Sequence, residues 1–372
     1  MLVIAMIVMW MGKKITLKGR ILISQSVSKT DVEGVVGLLR RIIKYTAIFE
    51  LIGAFILAIK FIPESGFGQG LFKAIFYSIS SFCNAGVDVF SNESLIPYAL
   101  DRTINITIMI LIQLGGVGFL VLEDLANCIG SAIREKISIK RAIKKLSLHT
   151  KIVLISQVVF TLIGMIAFLM FENNNIDTIG TLNMNDKLLV SAFQSVSARA
   201  AGMFSVNINS LADVTKILMI FLMLVGGAPG SMTGGIKTVT LVVILFGIIS
   251  IAKGKRNITI LKRTIPRETY ERATVVFIYM IMLSFVSTLI IMCNLKTEIP
   301  TIDVVFDTVA SITTVGFSTG VINHMNSIAM FVTLLLMFFG RLGAVTPAVN
   351  YVLGIQKEND DIVYAKEDVI VG

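Results

Sequence analysis

The chain has 372 residues, of which 55% are hydrophobic and only 15% charged, with a mean hydropathy of +0.84. Soluble domains carry about 25% charged residues, so this composition excludes a soluble enzyme, a nucleic-acid-binding domain and a disordered chain, and leaves an integral membrane protein. The net charge of +9, from 33 Lys and Arg against 24 Asp and Glu, is concentrated in three loops, which reads as membrane topology and not as nucleic-acid binding.

In chain order, residues 1–12 are apolar but rise only about 18 Å as a helix, too little to cross a bilayer. Positive charge follows this segment where a signal peptide would place it before. The segment is therefore read as the inner end of a helix whose earlier part is missing, in a chain lacking most of a first repeat. Expressed alone, such a chain is expected to insert in the membrane but not to work.

A basic cluster comes next, Lys13, Lys14, Lys18, Arg20, Lys29, Arg40 and Arg41. A second holds Arg134, Lys136, Lys140, Arg141, Lys144, Lys145 and Lys151, and a third Lys253, Lys255, Arg256, Lys262, Arg263, Arg267 and Arg272. By the positive-inside bias these loops are cytoplasmic. Between them lie apolar runs near 42–61, 103–128, 152–171, 215–251, 273–293 and 327–355, each long enough to span. They pair as down and up crossings joined on the outside.

Each outside connection contains a shorter apolar stretch: Leu71 to Cys83, Lys187 to Val196 and Ile302 to Ile312. Stretches this short suit re-entrant segments. Each leads into a small-residue tract: Asn84-Ala85-Gly86-Val87, Ala200-Ala201-Gly202-Met203 and Thr314-Val315-Gly316-Phe317. The glycines are 116 and 114 residues apart, and self-similarity at a fixed period marks a repeat architecture. The chain reads as an all-α tandem array of membrane–pore-loop–membrane units. Its segments are 1–36, an inner helix end plus loop; 37–130, 131–256 and 257–356, three full pore-loop units; and 357–372, a tail.

Thr314-Val315-Gly316-Phe317-Ser318 is close to the TVGYG run whose backbone carbonyls replace the ion's water shell in potassium channels. The second feature is Gly226-Gly227-Ala228-Pro229-Gly230-Ser231-Met232-Thr233-Gly234-Gly235. Five glycines and a proline in ten residues cannot continue a helix. The loop is read as a flexible plug at mid-membrane, with a packing kink as the alternative. A phosphate loop is disfavoured, because Ile236 is inserted before Lys237 and no strand precedes it.

Arg341, well inside the last apolar run, is expected to pair with carbonyls or line a water-filled path. Arg199 is expected near the outer mouth, where a merely structural role stays open. Gly115-Gly116-Val117-Gly118 is read as helix packing. Cys83, Cys128 and Cys293, like His149 and His324, have no metal-ligand or catalytic spacing, so no catalytic residue, metal cluster or cofactor is expected.

Together these motifs resemble the membrane subunit of the Ktr type of potassium uptake system, within the Trk/Ktr/HKT superfamily. The resemblance rests on Phe82 to Gly86, Ala198 to Gly202, Thr314 to Phe317, the loop Gly226–Gly235 running into Ile236-Lys237-Thr238, and Gly340-Arg341-Leu342-Gly343. It implies four units around a pseudo-fourfold pore, with potassium held by backbone carbonyls of the filter tracts and sodium as a coupling or activating ion. It assigns the gate to the glycine loop and Arg341. It also implies a homodimer in a bacterial plasma membrane, with a cytoplasmic ring of nucleotide-binding regulatory subunits. A secondary transporter with broken helices is the alternative; it calls for inverted repeats, where this chain has direct ones.

Overall fold

The computed structural model describes residues 35–88, 94–135, 138–199, 201–255 and 257–342. The expectations for residues 1–34, Ala200, the end of the last apolar run and the 357–372 tail fall outside the described residues.

The fold is mostly helical. Helices α1 (Val35–Ser65), α6 (Leu148–Glu172) and α10 (Arg267–Met292) contain stretches long and apolar enough to cross a bilayer. Their apolar residues run around the whole helix instead of along one stripe, as a helix bathed in hydrocarbon requires. Leu51 and Phe55 of α1 are accordingly 70% and 71% exposed.

Each long helix is followed by a short one: α2 (Phe67–Phe82), α7 (Met184–Ala198) and α11 (Thr301–Ile312). With 16, 15 and 12 residues, these rise only about 18 to 24 Å. Their C-terminal halves are buried, and at the end of α11 the hydroxyls are satisfied locally. Thr308, Ser311 and Thr313 donate to carbonyls four residues back, each at 2.7 Å, so burial leaves them no unpaired polar group.

The returning helices are α3 (Arg102–Val117), α8 (Asp213–Leu224) and α12 (Ser327–Leu342). The short helices rest directly on two of them. A Cβ on Gly115 would overlap Phe82 O, and one on Gly340 would overlap Ile312 O.

The structure corrects three expectations. The run 103–128 is not one straight crossing: α3 and α4 (Phe119–Arg134) are bent by 99° at Gly118. Gly118 has φ of +90° and packs against Pro229 O, while Phe119 N–H donates to Gly230 O at 3.2 Å. The freed helical donor is thus satisfied by the glycine loop, which is what permits a break inside a span. Gly115 does serve packing, but Gly118 ends the helix.

The second correction is that the fold is not purely α. After the basic helix α5 (Ile139–Lys145) and the apolar α9 (Thr238–Ala252), strands β1 (Ile258–Ile260) and β2 (Arg263–Ile265) form an antiparallel hairpin in the third basic cluster. Its β-branched residues favour strand, and Ile258, Ile260 and Ile265 face the bundle against Ile152 and Val243.

The third correction concerns Arg199, which lies away from the outer mouth. It follows the inner end of α7, is only 4% exposed, and reaches Gly226 O and Thr238 Oγ1, both at 3.4 Å, at the root of the glycine loop. A helix entering from outside and ending midway carries its last residue inward with it.

The core is made between repeats. Phe168, Val190 and Met223 of the second unit pack with Phe306, Val315 and Phe317 of the third. Leu57, Phe61 and Tyr77 of the first pack with Phe193, Ala201 and Met203 of the second. At the end opposite the basic loops, Lys216 of α8 and Asp303 in the first turn of α11 form an ion pair of 2.7 Å with little exposure. Nearby, the fully buried Glu172 accepts from Ala212 N–H at 3.0 Å, from Thr215 Oγ1, and from Thr178 Oγ1 and Asn175 Nδ2 at 2.7 Å each.

Candidate functional site: converging main-chain carbonyls above a glycine loop

Helices α2 and α11 end in the same way. Asn84 (φ +48°) and Thr314 (φ +54°) adopt the left-handed conformation. Ala85 N–H donates to Ser80 O at 3.0 Å and Asn84 N–H to Ser81 O at 3.3 Å; Val315 N–H donates to Ala310 O at 3.0 Å and Thr314 N–H to Ser311 O at 3.2 Å. This is the Schellman termination, normally completed by glycine or asparagine. A β-branched threonine there is strained, by about 1–2 kcal/mol. Its hydroxyl is also buried without a hydrogen-bond partner. Strain of this kind persists where the surroundings fix the backbone.

Two residues on, Gly86, Gly202 and Gly316 have φ of +67°, +66° and +98°. The three tracts meet there. The position of a Cβ on Gly86 lies 2.7 Å from Val315 O and 2.8 Å from Ala201 O, and one on Gly316 lies 3.6 Å from Gly86 O. A Cβ on Gly202 would overlap Val315 O. At Gly86 and Gly202 glycine is therefore needed twice over, for its backbone angles and for the approach of a neighbouring carbonyl; at Gly316 it is needed for its backbone angles.

Not every carbonyl of the tracts shares this point. Val87 O accepts from Ser80 Oγ at 2.9 Å, and Met203 O accepts from Ser197 Oγ, so both turn back toward their short helices. Phe317 stacks its ring on Phe306 at 6.3 Å. A cavity of about 460 Å³ beside the tracts is lined by Ala85, Asp307, Thr314, Gly316, Ser318 and Arg341.

The glycine loop closes on itself and then touches the neighbouring units. Val225 and Ile236 pair as an isolated bridge, with Gly226 N–H donating to Ile236 O at 2.9 Å and Ile236 N–H to Leu224 O at 3.0 Å. Gly227 N–H donates to Thr233 Oγ1 at 2.9 Å, and Ala228 N–H to Gly116 O at 2.9 Å. Lys237 Nζ donates to Thr233 O at 2.5 Å. These amides and this ammonium are committed to protein oxygens and do not form a phosphate cradle.

Gly230 and Gly235 both have φ of +72°. Gly234 lies against the start of the third tract, where its Cβ would overlap Thr313 O and Thr314 Oγ1. Arg341 Nη1, from α12, donates to Met232 O at 2.7 Å. The loop is thus held at its root by Arg199 and at its tip by Arg341, directly against the tracts.

Several contributors had left no mark in the sequence: the anchor role of Arg199, the Gln113–Gln157 amide pair beside it, and the acceptor Asp307 in α11. Only the general rule that charge inside a membrane is functional could have singled out Arg199 and Asp307. Cys83, Cys128 and Cys293 are free, and among the described residues no cluster of His, Cys, Asp and Glu could hold a metal ion.

Three short helices whose glycine tracts meet, in a bundle with helices long and apolar enough to cross a bilayer, are the architecture of a multi-spanning membrane protein. The chain belongs to the TrkH family, described as cation transport proteins, whose family model matches residues 2–360. It is a membrane transporter and not an enzyme. It is 32% identical over 367 residues to the Ktr system potassium uptake protein B of Bacillus subtilis, covering 99% of this chain and 78% of that protein. Against the potassium/sodium uptake protein NtpJ of Enterococcus hirae it is 30% identical over 365 residues, covering 97% and 77%. The crystal structure of the potassium transporter TrkH from Vibrio parahaemolyticus shares the fold, with a TM-score of 0.68 at 14% identity over 90% of this chain and 68% of that one.

Proposed function

We propose that this protein is the pore-forming subunit of a potassium uptake system. The carrying observation is the meeting of three glycine tracts at one point, each at the C-terminal end of a short buried helix. A helix C-terminus carries roughly half a negative charge, so three directed inward favour a cation. Main-chain oxygens such as Val315 O and Ala201 O beside Gly86 supply the ligands that replace its water shell.

In this reading Asn84 to Val87, Ala200 to Met203 and Thr314 to Phe317 are three strands of a filter with pseudo-fourfold symmetry. Residues 37–130, 131–256 and 257–356 are the units that carry them. Gly226–Gly235 with Arg341 is the gate below. Potassium is the main ion, as in the name of the Bacillus relative; sodium acts as a coupling or activating ion, in keeping with the name of the Enterococcus relative. The protein works as a homodimer in a bacterial plasma membrane, with a ring of nucleotide-binding regulatory subunits against its basic cytoplasmic loops.

The test is potassium and sodium uptake in bacteria stripped of their own potassium uptake, carrying the full natural protein. Gly86→Ser, Gly202→Ser and Gly316→Ser are expected to lower potassium affinity or potassium-over-sodium preference. Uptake unchanged by all three substitutions, at equal amounts of protein in the membrane, would overturn the filter reading.

A further inference from the structure

Each short helix also carries one buried polar side chain, eight or nine residues before its glycine, that reaches the segment following that glycine. In α11 it is Asp307, 6% exposed. Asp307 Oδ1 accepts from Thr319 N–H at 2.7 Å and from Thr319 Oγ1 at 3.0 Å, and Oδ2 accepts from Ser318 Oγ at 2.8 Å. In α7 it is the fully buried Gln194. With its amide oriented to satisfy both ends, Gln194 accepts from Ser205 N–H at 3.0 Å and Val206 N–H at 3.3 Å. In α2 it is Tyr77, whose hydroxyl donates to Asp88 Oδ1.

We propose that Tyr77, Gln194 and Asp307 are positioning residues of the filter, and that Asp307 sets ion preference. The proposal rests on the pore reading above. A trans peptide unit points its N–H and C=O in opposite directions. Pinning Thr319 N–H toward α11 therefore turns Ser318 C=O away from α11, and Ser318 lines the same cavity as Gly316 and Ala85.

In the second unit the equivalent operation has a different outcome. Gln194 pins Ser205 N–H, and the opposed Phe204 C=O accepts from Leu95 N–H at 3.0 Å. That oxygen is committed to a main-chain donor of the first unit. In the first unit the contact is from side chain to side chain, Tyr77 to Asp88. Asp307 holds a main-chain donor, Thr319 N–H, with a carboxylate that lines the cavity. Among the described residues, no lysine, arginine or histidine forms an ion pair with it. Its charge is balanced by N–H and O–H dipoles, which locks the strand and leaves the negative field available to a cation.

The experiment compares Asp307→Ala, Asp307→Asn, Ser318→Ala and Thr319→Val with wild type in the full natural protein. KM and maximal rate are read for potassium and for sodium uptake, per molecule in the membrane. Asp307→Ala is expected to reduce the potassium-over-sodium preference about tenfold, the scale of a hydrogen bond to a charged group, while sodium flux persists. Asp307→Asn, which keeps one acceptor, should recover part of that loss. Ser318→Ala and Thr319→Val remove single hydroxyl donors from the outer end of the strand and should shift the preference in the same direction, about threefold. Combining Ser318→Ala with Asp307→Ala should add nothing further.

An unchanged preference in Asp307→Ala overturns the proposal. So does a wild-type preference in both Ser318→Ala and Thr319→Val when Asp307→Ala fails to accumulate. Gly316→Ser, run in parallel, separates the two levels. If it alters preference while the Asp307 set does not, only the positioning role falls; if neither alters it, the pore reading falls.

Discussion

Replacing Arg341 by glutamine should unlatch the glycine loop. The guanidinium donates to Met232 O at 2.7 Å from a helix of another unit; the tip is also held by the hydrogen bond from Phe119 N–H to Gly230 O at 3.2 Å and by Met232 packing in the cluster of Phe82 and Phe119, which the substitution leaves in place. A hydrogen bond from a charged donor contributes about 1.5–3 kcal/mol. Arg341 is an exposed residue that lines a cavity, so the lower end applies. About 1.5 kcal/mol corresponds to a roughly tenfold shift between latched and free loop. Where the latched state dominates, flux rises by nearly the same factor, since only the differential stability of the two states moves the balance.

The assay is rubidium or potassium uptake into proteoliposomes, normalised to the number of reconstituted molecules, without added cytoplasmic subunits. Gly234→Ala provides an independent route to the same end. Its methyl would overlap Thr313 O and Thr314 Oγ1 and so wedge the loop away from the tract. The two substitutions together should exceed either alone by little, because both release one latch. Folded Arg341→Gln protein with wild-type or reduced flux per molecule would refute the gate assignment. Loss of expression on deleting 231–234, with no gain in conductance, would favour a packing kink.

Three further outcomes are expected. Thr314→Gly removes both the left-handed strain of a β-branched residue, about 1 kcal/mol, and a buried unpaired hydroxyl, so the detergent-solubilised protein should melt at higher temperature. Glu172→Ala leaves buried donors on Thr215, Thr178, Asn175 and Ala212 without their acceptor; about 3 kcal/mol of stability should be lost, seen as a lower melting temperature with uptake per surviving molecule unchanged. Burial pushes the Asp101 carboxyl up, but Lys60 and the N–H groups of Ile104 and Thr103 outweigh it and hold the carboxyl below its usual value. The stability it contributes is therefore present above the ordinary aspartate pKa, near about 4, and is lost as pH falls through the lower folded value; Asp101→Asn should flatten the acid limb of a stability–pH curve.

The sequence displayed whatever depends on length and period. Apolar runs, basic loops and three glycines about 115 residues apart follow from bilayer thickness and repetition, and the helices lie where those patterns place them. The break at Gly118 was hidden because glycine in an apolar run is equally consistent with close helix packing, which is what Gly115 does. Only the partner, Gly230 O, distinguishes the two. The hairpin at 258–265 was hidden inside a basic stretch, where charge masks three isoleucines. Tyr77, Gln194 and Asp307 share a place and no chemistry, so neither period nor composition groups them. Arg199 was misplaced because adjacency in sequence to a tract says nothing of how far inward the preceding helix has carried the chain.

The seating of the short helices on Gly115 and Gly340 has a consequence for depth. The last carbonyls of α2 and α11 come to rest where an α-carbon bears no methyl group. How far each helix descends, and hence the level at which Ala85 and Val315 present their oxygens, is gauged by two residues that belong to neither tract. A single methyl at either seat would push one short helix, and the tract that follows it, off its seat, with every residue of the tract itself unchanged. The seating of the tracts is therefore set from behind, by hydrogen atoms on the returning helices.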